Sequence, residues 1–298
     1  MVNSMHRTSF RAMGGPCEIH LSAPDVQTAA RLAQRAIAEV MRIEQKYSRY
    51  RPDSIVSRIN AAAGRKPVAC DSETGALLAY ADALYDASGG LFDITSGVLR
   101  KAWDFRKPQL PLAEVLEPLL ALVGWRKVVV DGDGVLLGEA GMEVDFGGFG
   151  KEYAADRAAS LLMDGGVMHG YVNLGGDMRF IGPQLDGGPW SIGIQDPRQV
   201  DAVIGSIPVS HGALTTSGDY ERYFELDGQR YCHVLDPRDG MPVRYWRSVS
   251  VLAPVAIAAG SCSTITMLKQ REGLDFLNAS GLAYLAVDDE GQLSYRDI

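Results

Sequence analysis

The chain has 298 residues, 46% of them hydrophobic and 22% charged, with a formal net charge of −8. That is enough apolar chain for a sizeable core, and the acidic balance argues against nucleic acid as a partner, which needs a basic face. No run of about 18 apolar residues occurs, so no transmembrane segment is expected; Ala253–Leu268 comes nearest, interrupted by Gly260, Ser261, Ser263, Thr264 and Thr266.

The first seven residues, Met1 to Arg7, lack the apolar stretch of a signal peptide. Taken as full length, the chain is therefore expected in the cytoplasm. Residues 8–22 read as a strand in which Gly14 and Gly15 break the apolar run. Asp25 is placed to cap a helix of about 20 residues, with Ala29, Leu32, Ala33, Ala36, Ile37, Val40 and Ile43 on one face. A polar loop, 47–54, precedes a second helix over 71–87 that stops at Gly89-Gly90. Then come Phe92-Asp93-Ile94-Thr95-Ser96, a short helix ending near Trp103, and a Pro- and Leu-rich segment.

From Trp125 the pattern shifts to strands. Residues 127–130 and 135–137 flank Asp131-Gly132-Asp133-Gly134, a hairpin signal. Residues 142–146 read as a strand and 150–163 as a helix. Further strands are expected at 167–174, 178–182, 190–195, 202–208, 222–226, 230–235 and 248–253, then a helix at 254–269, a last helix and a hairpin around Asp288-Asp289-Glu290-Gly291. No repeat or linker is visible. The expectation is one intertwined α+β domain, residues 1–298, with a largely antiparallel sheet. Four cysteines, at 17, 70, 232 and 262, have no metal-ligand spacing and read as reduced, mostly buried thiols.

Two stretches concentrate chemistry. Thr216-Ser217-Gly218-Asp219-Tyr220 and His233-Val234-Leu235-Asp236-Pro237-Arg238 set hydroxyls, acids, an arginine and a histidine among turn residues; a histidine there can move a proton near neutral pH. Asp145-Phe146-Gly147-Gly148-Phe149-Gly150-Lys151 reads as a glycine turn opening a helix, whose free N–H groups suit an anion. It matches neither a Walker loop nor a dinucleotide fingerprint. Lys151 lies in the first helical turn, where the helix dipole disfavours a cation, so a functional lysine and a solvated one stand about equal. Glu152 has the ordinary reading of an acid at a helix start. Asn173-Leu174-Gly175-Gly176-Asp177 is either a tight turn or a close backbone approach to a planar ligand. Tyr50 and Trp103 either stack on a ring or pack in the core, and packing is the commoner fate. The histidines at 6, 20, 169 and 211 have no comparable neighbours.

These residues, in this order, resemble the ApbE-type FAD:protein FMN transferases. The resemblance runs from about residue 10 to 270. It is carried by Met13-Gly14, the segment Ser48 to Ser54 with Asn60, Phe92-Asp93-Ile94-Thr95, Trp103, Asp145-Phe146-Gly147-Gly148, Lys151, Asp156-Arg157, Asn173 to Asp177, Trp190, Thr216 to Tyr220, His233, Asp236-Pro237-Arg238, Gly240 and Thr264. It implies a flavin-transferase fold with FAD in a cleft between two halves of one domain. The implied reaction moves FMN from FAD to a Thr or Ser hydroxyl of a target flavoprotein and releases AMP. The implied FAD-binding residues are Met13, Tyr50, Asp93, Thr95, Lys151, Asn173, Gly175, Gly176, Asp177, Ser217, His233 and Arg238. His233 is the implied base, with Asp219 next in line. Mg²⁺ is implied on the Gly150 carbonyl, Thr264 and an Asp four residues before that threonine.

The chain departs from the family in three places. The expected metal-binding Asp is Gly260. The residue after Lys151 is Glu152, where the family has Gly, and Asp239 precedes Gly240 where it has Thr. Either Glu152 or Asp239 supplies the missing carboxylate, or the chain is a non-catalytic FAD-binding or flavin-delivery paralogue. A third reading is an FAD diphosphatase that yields FMN and AMP.

Overall fold

The structure, a computed structural model, describes residues 3–132 and 134–297. It opens with a hairpin, β1 (Ser4–Ala12) and β2 (Gly15–Ala23), in register from Ser4↔Ala23 to Ala12↔Gly15. The glycine break expected inside one strand is a full chain reversal. Met13 (φ 52°) and Gly14 (φ 80°) are both left-handed, which suits a two-residue turn matched to strand twist. The Met13 N–H is held by Glu44 Oε1 at 2.9 Å.

Helix α1 (Val26–Tyr47) starts where Asp25 accepts from the Thr28 N–H. Next come α2 (Ile55–Ala61), β3 (Val68–Ala69), α3 (Ser72–Ser88) and α4 (Ala113–Leu120). Helices α2 and α4 escape the sequence reading because seven or eight residues are too few to display a 3.6-residue period. β4 (Val128–Asp131) and β5 (Gly134–Leu137) form the expected hairpin, whose turn residue Asp133 lies outside the described residues. Residues 142–146 are not a strand. Asn60 bonds both polar groups of Val144, and Asp145 N–H bonds the Ile94 carbonyl, so a side chain and a loop occupy the groups a ladder would need.

The second half continues with α5 (Gly150–Asp164), β6 (Gly170–Leu174), β7 (Asp177–Gly182), β8 (Trp190–Gln195) and β9 (Val203–Val209). It then runs through β10 (Gly212–Gly218), β11 (Tyr223–Leu226), β12 (Gln229–Cys232), β13 (Trp246–Ala253), α6 (Ala256–Lys269), α7 (Gly273–Ser280), β14 (Ala283–Asp288) and β15 (Leu293–Arg296). Eight strands make one antiparallel sheet, ordered β1-β2-β6-β7-β10-β13-β14-β15. The expected α+β class with a largely antiparallel sheet is what forms. β10 is not among the expected strands, since the sequence there shows hydroxyls and acids among turn residues. Its Thr215 and Thr216 are β-branched and suit a pleated strand, and Thr215 is fully buried.

The sheet separates two apolar layers. Ile19, Val172, Leu174, Ala213, Val249 and Val251 belong to the main core, with residues of α1, α5 and α6. Their neighbours of opposite pleat, including Tyr171, Met178 and Leu214, pack with the β8–β9 hairpin through Ile194 and Val209. Each fully buried large side chain contributes about 1.5–3 kcal/mol.

Helices α5 and α6 matter most for the site. Both are lined with small buried residues: Ala154, Ala155, Ala158 and Ala159 on one, Ala256, Ala259 and Gly260 on the other. Helix α6 has no side-chain cap of its own. Asp156 of α5 supplies it, its two oxygens accepting from the Ala256 and Ile257 N–H groups at 2.8 and 2.9 Å. Arg179 Nε pairs with the same carboxylate at 3.1 Å. One turn back on α5 is Glu152, and one turn on along α6 is Gly260. The cross-helix cap thus fixes what faces residue 260.

Candidate active site

The β6–β7 connection is a two-residue turn closing Leu174↔Asp177. Gly175 (φ 60°) and Gly176 (φ 99°) are both left-handed, and Asn173 Oδ1 accepts from the Gly176 N–H at 2.9 Å. A cleft of about 600 Å³ is lined by Asn173, Gly175 and Gly176 together with Phe10, Arg11, Pro16 and Cys17 of the adjoining strands, a size that admits a small ligand.

Lys151 crosses to this turn from the first turn of α5. Its Nζ lies 2.8 Å from Asp177 Oδ2 and 3.4 Å from the Gly175 carbonyl. Burial works against its charge, yet the Asp177 and Glu152 carboxyls outweigh burial and its affinity for the proton is raised. The lysine is thus a fixed cation, unlike a solvated one. Asp177 is buried, which raises its carboxyl against the pull of Lys151.

Glu152 is not an ordinary helix-start acid. It is 7% exposed, and its Oε2 is enclosed with no hydrogen-bond partner. Burial first, and the Asp177 charge second, push its carboxyl up, with Lys151 opposing. A Cβ built on Gly260 would lie 2.5 Å from Glu152 Oε1, so the glutamate fills space that a side chain at 260 would claim. Farther along α6, Thr264 Oγ1 is 3.3 Å from Ser217 Oγ of β10, and Ser217 Oγ is 2.8 Å from Ser263 Oγ.

The two expected proton-transfer residues differ. His233 has an exposed surface, yet surrounding protein atoms desolvate its ring. That desolvation, then the Arg222 charge, hold its imidazole below the usual histidine range, with an Arg222 backbone contact opposing. It is neutral at pH 7 and able to accept a proton. Asp219 is placed otherwise. Both its oxygens take Arg198 at 2.7 Å, Arg230 approaches at 3.4 Å, and its N–H bonds the Arg247 carbonyl. This carboxylate fastens the loop before β11 to two arginines.

Asp93 and Thr95 also turn inward. Asp93 Oδ1 accepts from Thr95 N–H and Oγ1, its Oδ2 accepts from Trp125 N–H, and Thr95 Oγ1 accepts from Gly124 N–H. Both are buried; they hold the chain after α3 rather than offering atoms to a ligand. Arg238 stays exposed and forked on its own Asp236 at 2.7 Å. Trp103 packs, its Nε1 on the Gly240 carbonyl at 2.9 Å and its ring on Phe105. Tyr50, in contrast, is 74% exposed. The Arg49 guanidinium sits 5.0 Å from its ring, bonds its hydroxyl at 3.1 Å and pairs with Asp145 of the glycine turn at 2.6 Å. Packing, the commoner fate, is not the fate of Tyr50.

Arg49 lies inside the Ser48–Ser54 motif, but the sequence assigns it no role; its contacts with Tyr50 and Asp145 appear only in the fold. Arg198 and Arg230 reach Asp219 from separate elements and carry no local signal. The four cysteines are all free, three of them buried.

The sequence profile of the ApbE family matches residues 13–286. The chain belongs to the ApbE family. It is 32% identical to a FAD:protein FMN transferase of Klebsiella pneumoniae over 92% of this chain and 88% of that protein. Among solved structures, it superposes on the ApbE protein of Thermotoga maritima with a TM-score of 0.90, at 32% identity over 99% of this chain and 97% of that one. The flavin transferase ApbE of Vibrio cholerae gives 0.88 at 26% identity, over 99% and 97%. Among the described residues, no helix is long and apolar enough to cross a membrane.

Proposed function

We propose that this chain is a FAD:protein FMN transferase, with a flavoprotein bearing a Thr or Ser acceptor as its partner. One observation carries the reading: Lys151 is held charged beside a glycine turn by Asp177 at 2.8 Å, an arrangement that receives a diphosphate. The family membership and the similar transferases support it.

The chemistry follows from the residues. Tyr50 is an open aromatic platform for the flavin ring. Lys151, the turn N–H groups and Arg238 face the negative charge of the diphosphate. The acceptor hydroxyl attacks the FMN-side phosphorus; a P–O bond forms there and the P–O bond to AMP breaks. His233 takes the hydroxyl proton, and AMP leaves. Asp219 orders the neighbouring loop.

The site also fits Mg²⁺. Among the described residues no three His, Cys, Asp or Glu side chains gather as a metal cage. The oxygen-only donors at hand are the unpartnered Glu152 carboxyl oxygen, the Thr264 hydroxyl and the Gly150 carbonyl. A hard cation takes such a set, completed by phosphates, and when bound it would neutralise charge developing on the diphosphate.

The test is FAD and Mg²⁺ with a Thr-bearing acceptor domain, read by covalent flavin fluorescence in a denaturing gel. Labelled acceptor supports the reading. AMP without labelled acceptor assigns diphosphatase action, and FAD binding with neither product assigns a carrier. His233→Ala should lower transfer by roughly 10²–10⁴ with FAD binding retained; full activity would move the base elsewhere.

A further inference from the structure

The Glu152–Gly260 contact joins three independent observations. A carboxylate nine-tenths buried has one oxygen without a partner. Its other oxygen stands 2.5 Å from where a Cβ on residue 260 would be. The two helices are pinned in that register by Asp156, one turn away, capping α6. A buried acid with an unmet oxygen is costly unless something binds it. Mere filling of space between helices is done more cheaply by an apolar side chain.

We infer that positions 152 and 260 are two mounts for a single cation-binding carboxylate, and that in this chain Glu152 carries it from α5 across the notch left by Gly260. The inference rests on the transferase reading for its setting but concerns only which side chain holds the cation. Thr264 lies one turn beyond Gly260 on α6, and its hydroxyl approaches Ser217 at 3.3 Å. The Gly150 carbonyl lies two residues before Glu152 in the same first turn of α5. A carboxylate reaching the notch from α5 therefore sits in the same helical turn as the Gly150 carbonyl and across from the α6 turn that leads to Thr264. Because the notch holds one side chain, the mounts exclude each other: any side chain at 260 must displace Glu152. Asp239 shows no such burial or unmet oxygen. It accepts from the Met241 N–H at 2.8 Å in its own exposed turn.

The test is a Mn²⁺ titration of the FAD-free protein, followed by the free-ion spin-resonance signal, with thermal unfolding of each variant alongside. Glu152→Gln, which keeps the shape, should weaken Mn²⁺ about tenfold or more, since losing a ligand costs at least as much as losing an outer-shell partner. Gly260→Ala alone should lower both the unfolding temperature and Mn²⁺ affinity by striking Oε1, yet do little to the unfolding temperature in a Glu152→Gly background. Glu152→Gly with Gly260→Asp should restore binding. Parent-like Mn²⁺ affinity in Glu152→Gln, no Mn²⁺ binding by the parent, or a double variant that folds without regaining the ion each overturns the inference. Acceptor labelling by the parent separates the two readings. Labelling with Mn²⁺ affinity indifferent to Glu152 sinks this inference alone. Mn²⁺ held through Glu152 without labelling sinks the transferase reading alone.

Discussion

The Lys151–Glu152–Asp177 wall and the Tyr50 loop are built on opposite principles. The first has two buried acids and a half-buried lysine, held by helix packing: Lys151 is fastened at 2.8 Å, and the α5–α6 register is set by a carboxylate cap on two N–H groups. The second is a 74% exposed ring flanked by two guanidinium groups, Arg49 at 5.0 Å and Arg100 at 6.0 Å. The difference follows from the work each would do. Charge stabilises a reacting phosphate best where water is excluded and the groups cannot reorganise. A planar ring needs an open face to stack on, and a loop supplies one at small cost. Mutations in the wall should therefore affect fold and chemistry together, and mutations in the loop should affect binding alone.

The largest effect is expected in the wall. Lys151→Met removes the cation facing the diphosphate and leaves Asp177 buried without its partner. FAD affinity, measured by flavin fluorescence, should fall about tenfold or more, with a lower unfolding temperature. A variant with unchanged affinity would remove Lys151 from the binding set. Next comes Asp156→Ala, which strips the α6 cap and should cost about 0.5–2 kcal/mol in denaturant unfolding. It should also weaken Mn²⁺ although Asp156 itself is a positioning residue. Lost stability with intact Mn²⁺ binding would show that helix register does not govern the ion.

Tyr50→Ala should weaken FAD by roughly 1 kcal/mol with no change in unfolding temperature. A drop in stability would blur the contrast between wall and loop. The smallest effect is in pH. A depressed imidazole stays neutral until the pH falls below the ordinary histidine value of about 6.5. The acid limb of the single-turnover transfer rate should therefore lie below that value and vanish in His233→Ala. A limb at or above it would mean that His233 is not desolvated as its crowding demands.

How much of this was legible in the sequence varies by residue. Periodicity sufficed for α1 and α3, long helices with polar caps at Asp25 and Asp71. It failed for β10, whose threonines and serine look like loop residues until both flanking strands are known. The Asp93-Ile94-Thr95 motif was visible, but its inward bonding to Trp125 and Gly124 was not, because those partners lie about 30 residues downstream. Asp219 looked like a base until Arg198 arrived from another hairpin.

By itself, the sequence determined the α+β class, the family and the chemical types at the site, because these rest on residue identity, local period and the order of motifs. It also showed both halves of an exchange, an acid present at 152 and absent at 260, without showing that they meet. Only the tertiary structure decided which carboxylates are spent on arginines, which ring stands open to solvent, and that Glu152 lies in the notch of Gly260. Those facts depend on through-space distances between elements remote in the chain, and it is burial together with the available partners, rather than residue type, that sets what a carboxylate can do.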